Sequence, residues 1–380
     1  LIGYEYFTIV LTFEDSMRKK QKPTLGYLTG DWAWGTEPLQ PNGCAWYRCK
    51  LPADQLAKRG WVTALGLPGF NPQSGFGMVI DNGRALHGWD IIVFKLLMKR
   101  EILEYLPKAL EMGQKIVVDV DDWFEGLSPT NRAYEATDPK VNPDENREIY
   151  AEIIQNATAV ITSSPFLYDF YKAKRDNVYL VRNGIDTERW EKRIPRMNHR
   201  LRLGWVGATP WRSGDLETLS PWIGEYLLSR KMYFHHSGHT ENGAPRACDQ
   251  MGIHQNISRT QPLVPINIYP KLFKEIDIGI VPLTNIPFNH AKSFIKGLEY
   301  AAAGVPFVAS YSPEYQYLAD NGIGRIANNQ EEWIYHLDQL RDAQTRRDEI
   351  GHNYEMLKNF SMDARADDWE AVMTEIREKL

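Results

Sequence analysis

Short apolar, β-branched runs alternate with helical stretches along nearly the whole chain, and no other feature narrows the fold as far. Strand, helix and strand in succession form a βαβ unit, and repeated units build a parallel sheet covered by helices. In the first half the pattern predicts strands over 24–29, 61–65, 91–95, 116–120, 159–162 and 178–181. Helices are predicted over 46–59, 98–112 and 145–156, and from Pro165 onward. Pro52 stands near the start of the first, and Gly60 and Gly113 stop the first and second. The second half repeats the texture, with strands over 201–206, 232–236, 276–281 and 306–310. Its helices are predicted over 215–229, 267–275 and 289–303, and from Glu331 and Met362.

Between the halves, 186–200 is charged and weakly patterned and reads as a linker. Two βαβ runs joined in this way predict an α/β chain of two Rossmann-like domains, their parallel sheets facing across a cleft. Ligands of such sheets bind at the carboxyl ends of the strands. The expected division is 17–190 for an N-terminal domain, 191–361 for a C-terminal domain, and 362–380 for a helix crossing back to the first. Residues 1–16 are expected to be an upstream or non-native extension, because Met17 followed by Arg18-Lys19-Lys20 reads as a more natural start than Leu1. With 43% apolar and 24% charged residues, wholesale disorder is excluded. Three cysteines are too few for a disulfide framework and favour a reducing compartment. No apolar run reaches the ~18 residues of a membrane-spanning helix, so no integral membrane association is expected. A net charge of −5 without a polybasic tail speaks against non-specific nucleic-acid binding.

The chemistry concentrates in 277–310. A buried strand ends at Pro282, and a helix is expected to open near Asn289–His290–Ala291, its free N–H groups and positive dipole end making an anion site. Lys292 and Ser293 would sit in its first turn, with His290 at the start. Glu299 lies seven residues past Lys292, two turns on and on the same face. A lysine for phosphate and a carboxylate for vicinal hydroxyls suit a nucleotide diphosphate and its ribose. The same spacing also describes a solvated charged face.

Glu299-Tyr300-Ala301-Ala302-Ala303-Gly304-Val305-Pro306 resembles the donor-binding signature of GT-B glycosyltransferases, family 4 in particular. In that family an acidic residue precedes the Glu by eight positions. Here that position is Ala291, so the family's sugar-contacting Glu is missing, with Lys292 and Ser293 as substitutes at phosphates or sugar. The stretch 201–216, with Gly204, Gly207 and Thr209, resembles the strand and glycine loop that open the family's C-terminal domain, and Arg212 falls near its diphosphate-binding basic residue. Asn183-Gly184-Ile185-Asp186 resembles the turn closing the N-terminal domain. The texture is similar to members found in phages and bacteria. The resemblance implies a retaining transfer of a sugar from a nucleotide-diphosphate donor, a UDP-sugar first, without a permanently bound cofactor. Glu299 would bind the ribose, while Arg212 and Lys292 would assist departure of the diphosphate. The location implied is cytoplasmic, that of the host cell if phage-encoded.

In such enzymes the N-terminal domain holds the acceptor. Tyr47 and Arg48, in a first helical turn after Gly43, are candidates for contacting acceptor or donor phosphate; ordinary packing is the plain alternative. Asp121 and Asp122 end a strand, so their carboxylates are expected in the cleft, one of them orienting the acceptor hydroxyl. The alternative is a solvated, helix-capping turn. Trp32, Trp34 and Trp123 are candidates for stacking on sugar or base, though such residues are more often core. Asp119-Val120-Asp121 also resembles the metal motif of the GT-A fold. Two Rossmann-like halves speak for GT-B, whose members usually need no catalytic metal, so none is expected. His235, His236 and His239 do not change this, because neighbours in a strand face opposite sides.

The function expected is glycosyl transfer to a hydroxyl of a glycan, protein, small molecule or modified DNA. One alternative is a phage-type DNA glycosyltransferase acting on hydroxymethylated pyrimidines, using a basic groove from Lys50, Lys58, Arg59, Lys95, Lys99 and Arg100. Another is a non-catalytic nucleotide- or glycan-binding relic, for which Ala291 is the best support. A third uses the nucleotide sugar differently, as in epimerisation.

Overall fold

The computed structural model describes residues 22–33, 36, 39–79, 85–194, 200–211, 214–239 and 245–380. The extension expected over 1–16 lies outside them. The chain forms two compact units, one of Leu1–Glu125, Ala136–Asn183 and Met362–Leu380, the other of Gly126–Glu135 and Gly184–Ser361. The division thus falls at Asn183/Gly184, ahead of the expected 190/191. The reason is Trp190, buried in the second unit with its ring 5.2 Å from Phe273.

Among the described residues the N-terminal unit has ten strands: β1 (Thr24–Thr29), β2 (Trp32–Ala33), β3 (Gln40–Pro41), β4 (Val62–Asn71), β5 (Gly75–Val79), β6 (Ala85–Leu86), β7 (Ile91–Lys95), β8 (Lys115–Val120), β9 (Ala159–Thr162) and β10 (Val178–Leu180). Eight form one sheet in the order β10-β9-β8-β7-β1-β4-β5-β6, and β2 pairs with β3. The six strands that alternate with helices or loops are parallel. The expected strand 61–65 is longer, and its far end folds back as the antiparallel β4–β5–β6 meander. Asn71 through Gly75, the latter at φ +77°, makes the return, and alternation of whole βαβ units does not reveal such a hairpin. The expected helix 46–59 begins earlier, at Gly43–Ala45, passes through a π-helical turn, Trp46–Lys50, and continues as Leu51–Lys58. The wide turn precedes Pro52, whose missing N–H removes one i→i−4 bond.

The last helix, Met362–Lys379, belongs to this unit and packs on Leu51–Lys58. Trp369 anchors it: its ring is buried, with the Arg48 guanidinium carbon 4.9 Å from its centroid. Arg59 fastens the outer edge through Asp367 at 2.5 Å and Glu370 at 2.9 Å.

The C-terminal unit holds β11 (Arg202–Val206), β12 (Tyr233–Gly238), β13 (Ser258–Pro262), β14 (Ile278–Val281), β15 (Phe307–Ser310) and β16 (Arg325–Ala327). All pairings are parallel, in the order β13-β12-β11-β14-β15-β16. Counted within the unit this is the doubly wound order 3-2-1-4-5-6. Prolines break two expected helices. The one over 215–229 becomes a 3₁₀ turn, Leu216–Leu219, and the helix Trp222–Ser229, because Pro221 disfavours helical backbone at Ser220. The one over 267–275 is a 3₁₀ helix, Ile266–Phe273, with Pro270 inside it. Among the described residues no helix is long and apolar enough to cross a membrane.

Truncating Trp369 to Ala is expected to destabilise the N-terminal unit by about 3–5 kcal/mol, read as a lower urea midpoint. A shift below about 1 kcal/mol would show that the terminal helix is not integral to that unit.

Candidate functional site

Strand order locates the site before any side chain is considered. In the C-terminal unit the order reverses between β11 and β14, so the connections leaving their carboxyl ends diverge and open a crevice. These two strands pair only at Leu203↔Ile278 and Gly204↔Gly279. Beyond that the Tyr300 hydroxyl stands between them. It accepts from the Val206 N–H at 3.2 Å and faces the carbonyl oxygens of Gly204 (3.1 Å) and Ile280 (3.3 Å) as donor. The ring fits because residue 279 is glycine; a Cβ there would lie 2.6 Å from it. Burial pushes the Tyr300 pKa far up, so the hydroxyl keeps its proton.

Glu299 precedes Tyr300 on the helix Ile295–Ala302 and is only 3% exposed. Its Oε2 accepts from the Tyr269 hydroxyl at 3.0 Å and from Lys296 Nζ at 2.8 Å, and Lys296 Nζ also donates to the Tyr269 hydroxyl at 2.9 Å. Tyr269 comes from the 3₁₀ helix Ile266–Phe273, so two separate elements meet at one carboxylate. Lys296 escaped the sequence reading, although its i,i+3 spacing to Glu299 was a usable signal.

The single helix expected over 289–303 is two helices, Pro287–His290 and Ile295–Ala302. Lys292 and Ser293 therefore lie in the turn between them, and Lys292 does not share a helix face with Glu299. Asn289 accounts for the break. Its amide donates to Asp215 Oδ1 at 2.7 Å and to the Thr284 carbonyl at 2.9 Å, which pins the short helix to the loop after β14. Asp215 Oδ1 also accepts from the Thr284 N–H at 2.9 Å. One carboxylate that follows β11 thus ties down the loop that follows β14, across the crevice. The Lys292 ammonium lies 4.5 Å from the Phe288 ring centroid, and His290 Nε2 is 2.8 Å from Asn285 Oδ1.

Gly207 and Thr209 leave the end of β11, where the Gly207 N–H donates to the Ser237 carbonyl and the Thr209 N–H to that of His239, both at 3.0 Å. Gly238, at φ +148°, meets Gly207 backbone to backbone; a Cβ on Gly238 would lie 1.9 Å from the Gly207 oxygen. Arg212 lies outside the described residues. His236 Nε2 is 3.0 Å from the Gly207 carbonyl oxygen, so it must carry the proton. Its ring stacks on Trp205 with centroids 5.1 Å apart. Burial lowers the pKa of both His235 and His236. Among the described residues no group of three or more His, Cys, Asp or Glu side chains is arranged to hold a metal ion.

In the N-terminal unit the parallel strands reverse order between β1 and β7, and there the structure places a buried ionic network. Lys95, the last residue of β7, is wholly buried; it pairs with Asp119 Oδ1 at 3.0 Å and with Asp121. Burial pulls the Lys95 pKa down, and the charges of Asp121 and Asp119 more than offset this, holding it well above the usual lysine value. Arg48 closes the network from the other side. It reaches Asp119 Oδ2 through Nη2 at 2.6 Å, and through Nη1 the Val181 carbonyl (2.7 Å) and Asn183 Oδ1 (3.0 Å).

Two expectations are corrected here. Arg48 was expected to reach an acceptor or phosphate; it is 1% exposed and its guanidinium is spent on internal partners, while Tyr47 beside it is also buried. Lys95 was expected in a basic groove; it is core. Four other members of that groove are ion-paired: Lys50 to Asp54, Arg59 to Asp367 and Glu370, Lys99 to Glu145, and Arg100 to Asp144. Asp121 and the part-exposed Asp122 do follow a strand end, at β8. Trp123 packs edge to face on Phe166 and Phe170, at 5.1 and 5.4 Å. Trp32 is buried, its indole N–H donating to the Thr29 carbonyl, and Trp34 lies outside the described residues.

No family model matches the chain, and no curated protein matches it in sequence. Similar solved structures exist. Sucrose-phosphate synthase (tll1590) of Thermosynechococcus elongatus aligns over 94% of this chain and 99% of its own, with TM-score 0.62 and 13% identity. Anabaena Alr3699/HepE, in complex with UDP and glucose, aligns over 93% and 100%, with TM-score 0.60 and 13% identity. A UDP-forming α,α-trehalose-phosphate synthase of Burkholderia xenovorans aligns over 76% and 74%, with TM-score 0.50 and 14% identity. The architecture is therefore the GT-B fold: two Rossmann-like units, each with a crevice where its strand order reverses.

Replacing Lys95 by Met leaves Asp121 without its lysine and Asp119 with Arg48 alone, and is expected to cost about 3–5 kcal/mol in denaturant unfolding, against about 0–1 kcal/mol for Lys50→Met at a half-exposed pair. Equal effects would refute the buried network. The histidines set a pH dependence. Their folded-state pKa values lie below the unfolded value of about 6.5, so unfolding takes up protons as pH falls past that point. Their contribution is complete above about pH 6.5 and is lost on acidification, so thermal unfolding should drop between about pH 7 and pH 5. His236→Gln, which keeps a donor for Gly207, should flatten that drop.

Proposed function

We propose that the chain is a glycosyltransferase moving a sugar from a nucleotide-diphosphate donor to an acceptor hydroxyl. The observation that carries the reading is the Tyr269–Glu299–Lys296 triangle beside the crevice between β11 and β14. A carboxylate held by Tyr269 and Lys296 and largely stripped of water suits the vicinal hydroxyls of a ribose. Lys292 and Ser293 occupy the adjoining turn, suited to a diphosphate. That several GT-B neighbours are named for sugar-phosphate synthesis or complexed with UDP supports a UDP-sugar as first donor.

On this reading Lys292, Ser293 and Arg212 hold the diphosphate, Gly207 and Thr209 line its approach with their N–H groups already paired to Ser237 and His239, and His290 supports the turn. Positive charge at the departing diphosphate stabilises the negative charge that grows as the glycosidic bond breaks. The family-4 resemblance of 299–306 favours retention of configuration, with a leaving phosphate oxygen taking the acceptor's proton and no enzyme nucleophile. Asp122 is the carboxylate proposed to orient the acceptor hydroxyl. Asp121, tied to Lys95, sets the position of the segment, and Trp123 forms its apolar backing. The acceptor is proposed to be a hydroxyl compound other than DNA, because most of the candidate basic groove is internally paired or buried.

Purified protein incubated with UDP-sugars and hydroxylated acceptors, followed by mass spectrometry, tests the reading. Lys292→Ala and Arg212→Ala are expected to lower kcat by about 10²–10³. Glu299→Ala and Tyr269→Phe should act on donor KM, the first by about tenfold or more. Wild-type turnover in all four would overturn the site assignment. Donor binding without turnover by any donor would favour a non-catalytic relic lacking the acid at residue 291.

A further inference from the structure

A cavity of about 320 Å³ lies within the C-terminal unit, between 189–194 and the 3₁₀ helix Ile266–Phe273. Its size is at the lower end of small-molecule sites. Its charge is one-sided: Arg189, Lys192, Arg193, Lys271 and Lys274 line it, against the single carboxylate of Glu191. The two arginines serve the fold, Arg189 reaching the Ile266 carbonyl and Arg193 the Phe273 carbonyl and Asp277. The lysines are held more loosely, the Lys192 ammonium lying 5.9 Å from the Tyr354 ring centroid. Lys274 pairs with Glu191 at 2.8 Å, an exposed contact that an incoming anion can replace. Among the described residues Lys192 and Lys271 have no carboxylate within ion-pairing distance. In a chain of net charge −5, like charges gathered around one hollow repel each other until an anion enters. The walls are apolar: Trp190, Ile194, Pro270 and Phe273, with Ile194 79% exposed at the rim.

We propose that this cavity binds a small phosphorylated ligand with an apolar body. The placement gives it a consequence. A 3₁₀ helix repeats every three residues, so Ile266, Tyr269 and Leu272 form one ridge, which is buried. The other ridges, Asn267 with Pro270 and Phe273, and Ile268 with Lys271, line the cavity. The helix that presents Tyr269 to Glu299 on one side forms the wall of the cavity on another. A ligand seated there braces that helix and couples to the Glu299 site; this coupling rests on the proposed donor role of Glu299, whereas the binding itself does not.

The experiment is calorimetric titration of the full chain with phenyl phosphate, phenol and inorganic phosphate. Phenyl phosphate should bind at least about tenfold tighter than either of the others, and Lys192→Ala/Lys271→Ala should weaken it about tenfold. UDP should not displace it. Absence of phenyl phosphate binding, equal affinity in the double variant, or competition by UDP would each overturn the site. With phenyl phosphate saturating, the UDP Kd should change by about fivefold, and UDP should shift the phenyl phosphate Kd equally. An unchanged UDP Kd overturns the coupling. A chain that binds no UDP refutes the donor reading while the phenyl phosphate titrations still decide the cavity.

Discussion

The Tyr300 hydroxyl occupies the place where β11 and β14 part after two paired positions. Those positions are Leu203↔Ile278 and Gly204↔Gly279, and buried backbone groups left unpaired beyond that point would be costly. Tyr300 answers for three of them, Val206, Gly204 and Ile280. Because it sits on the helix Ile295–Ala302, it fixes that helix to the floor of the crevice, and its neighbour Glu299 follows. Asp215 makes the corresponding tie above the floor, between the loops that leave the same two strands. The crevice is thus held by two side chains, Tyr300 at its floor and Asp215 above it.

The N-terminal unit meets its own reversal, between β1 and β7, in a different way. It buries two cations and two carboxylates, which balance: Arg48 and Lys95 with Asp119 and Asp121. Such a cluster is fixed in geometry because each member would be costly alone. The same network receives the last helix, through Trp369 beneath Arg48. Burial also raises the pKa of Cys44 and Cys49 well above the usual thiol value, so neither is an activated nucleophile.

Much of this was legible without coordinates, element by element. The strand expected over 159–162 is β9, and the helix expected from Pro165 begins there, capped by Ser164. Both are written in local chemistry: β-branched runs, a capping serine, a proline in the first turn. The β4–β5–β6 meander was not, because its pairing partners are set by a turn rather than by a period. Lys292 and Glu299 illustrate the same limit at the site. Their spacing implied a shared helix face, but Asn289 is drawn to Asp215, 74 residues earlier, and the helix breaks. Arg48 and Lys95 carried the look of surface charge, since charge is ordinarily solvated, and their burial depends on carboxylates from another strand.

The sequence by itself determined that this is an α/β chain of two Rossmann-like halves, that Glu299 stands in a small-residue helix before a Gly-Val-Pro turn, and that polar residues gather where strands end. These follow from periodicity and local backbone preference, which act within a few residues. Only the tertiary structure decided which charges are solvated and which are core, that Tyr269 and Lys296 converge on Glu299, and that a cationic hollow lies behind the same short helix. Hydrogen bonds and ion pairs are short-ranged, and the residues that form them here come from strands and loops that only the fold brings together.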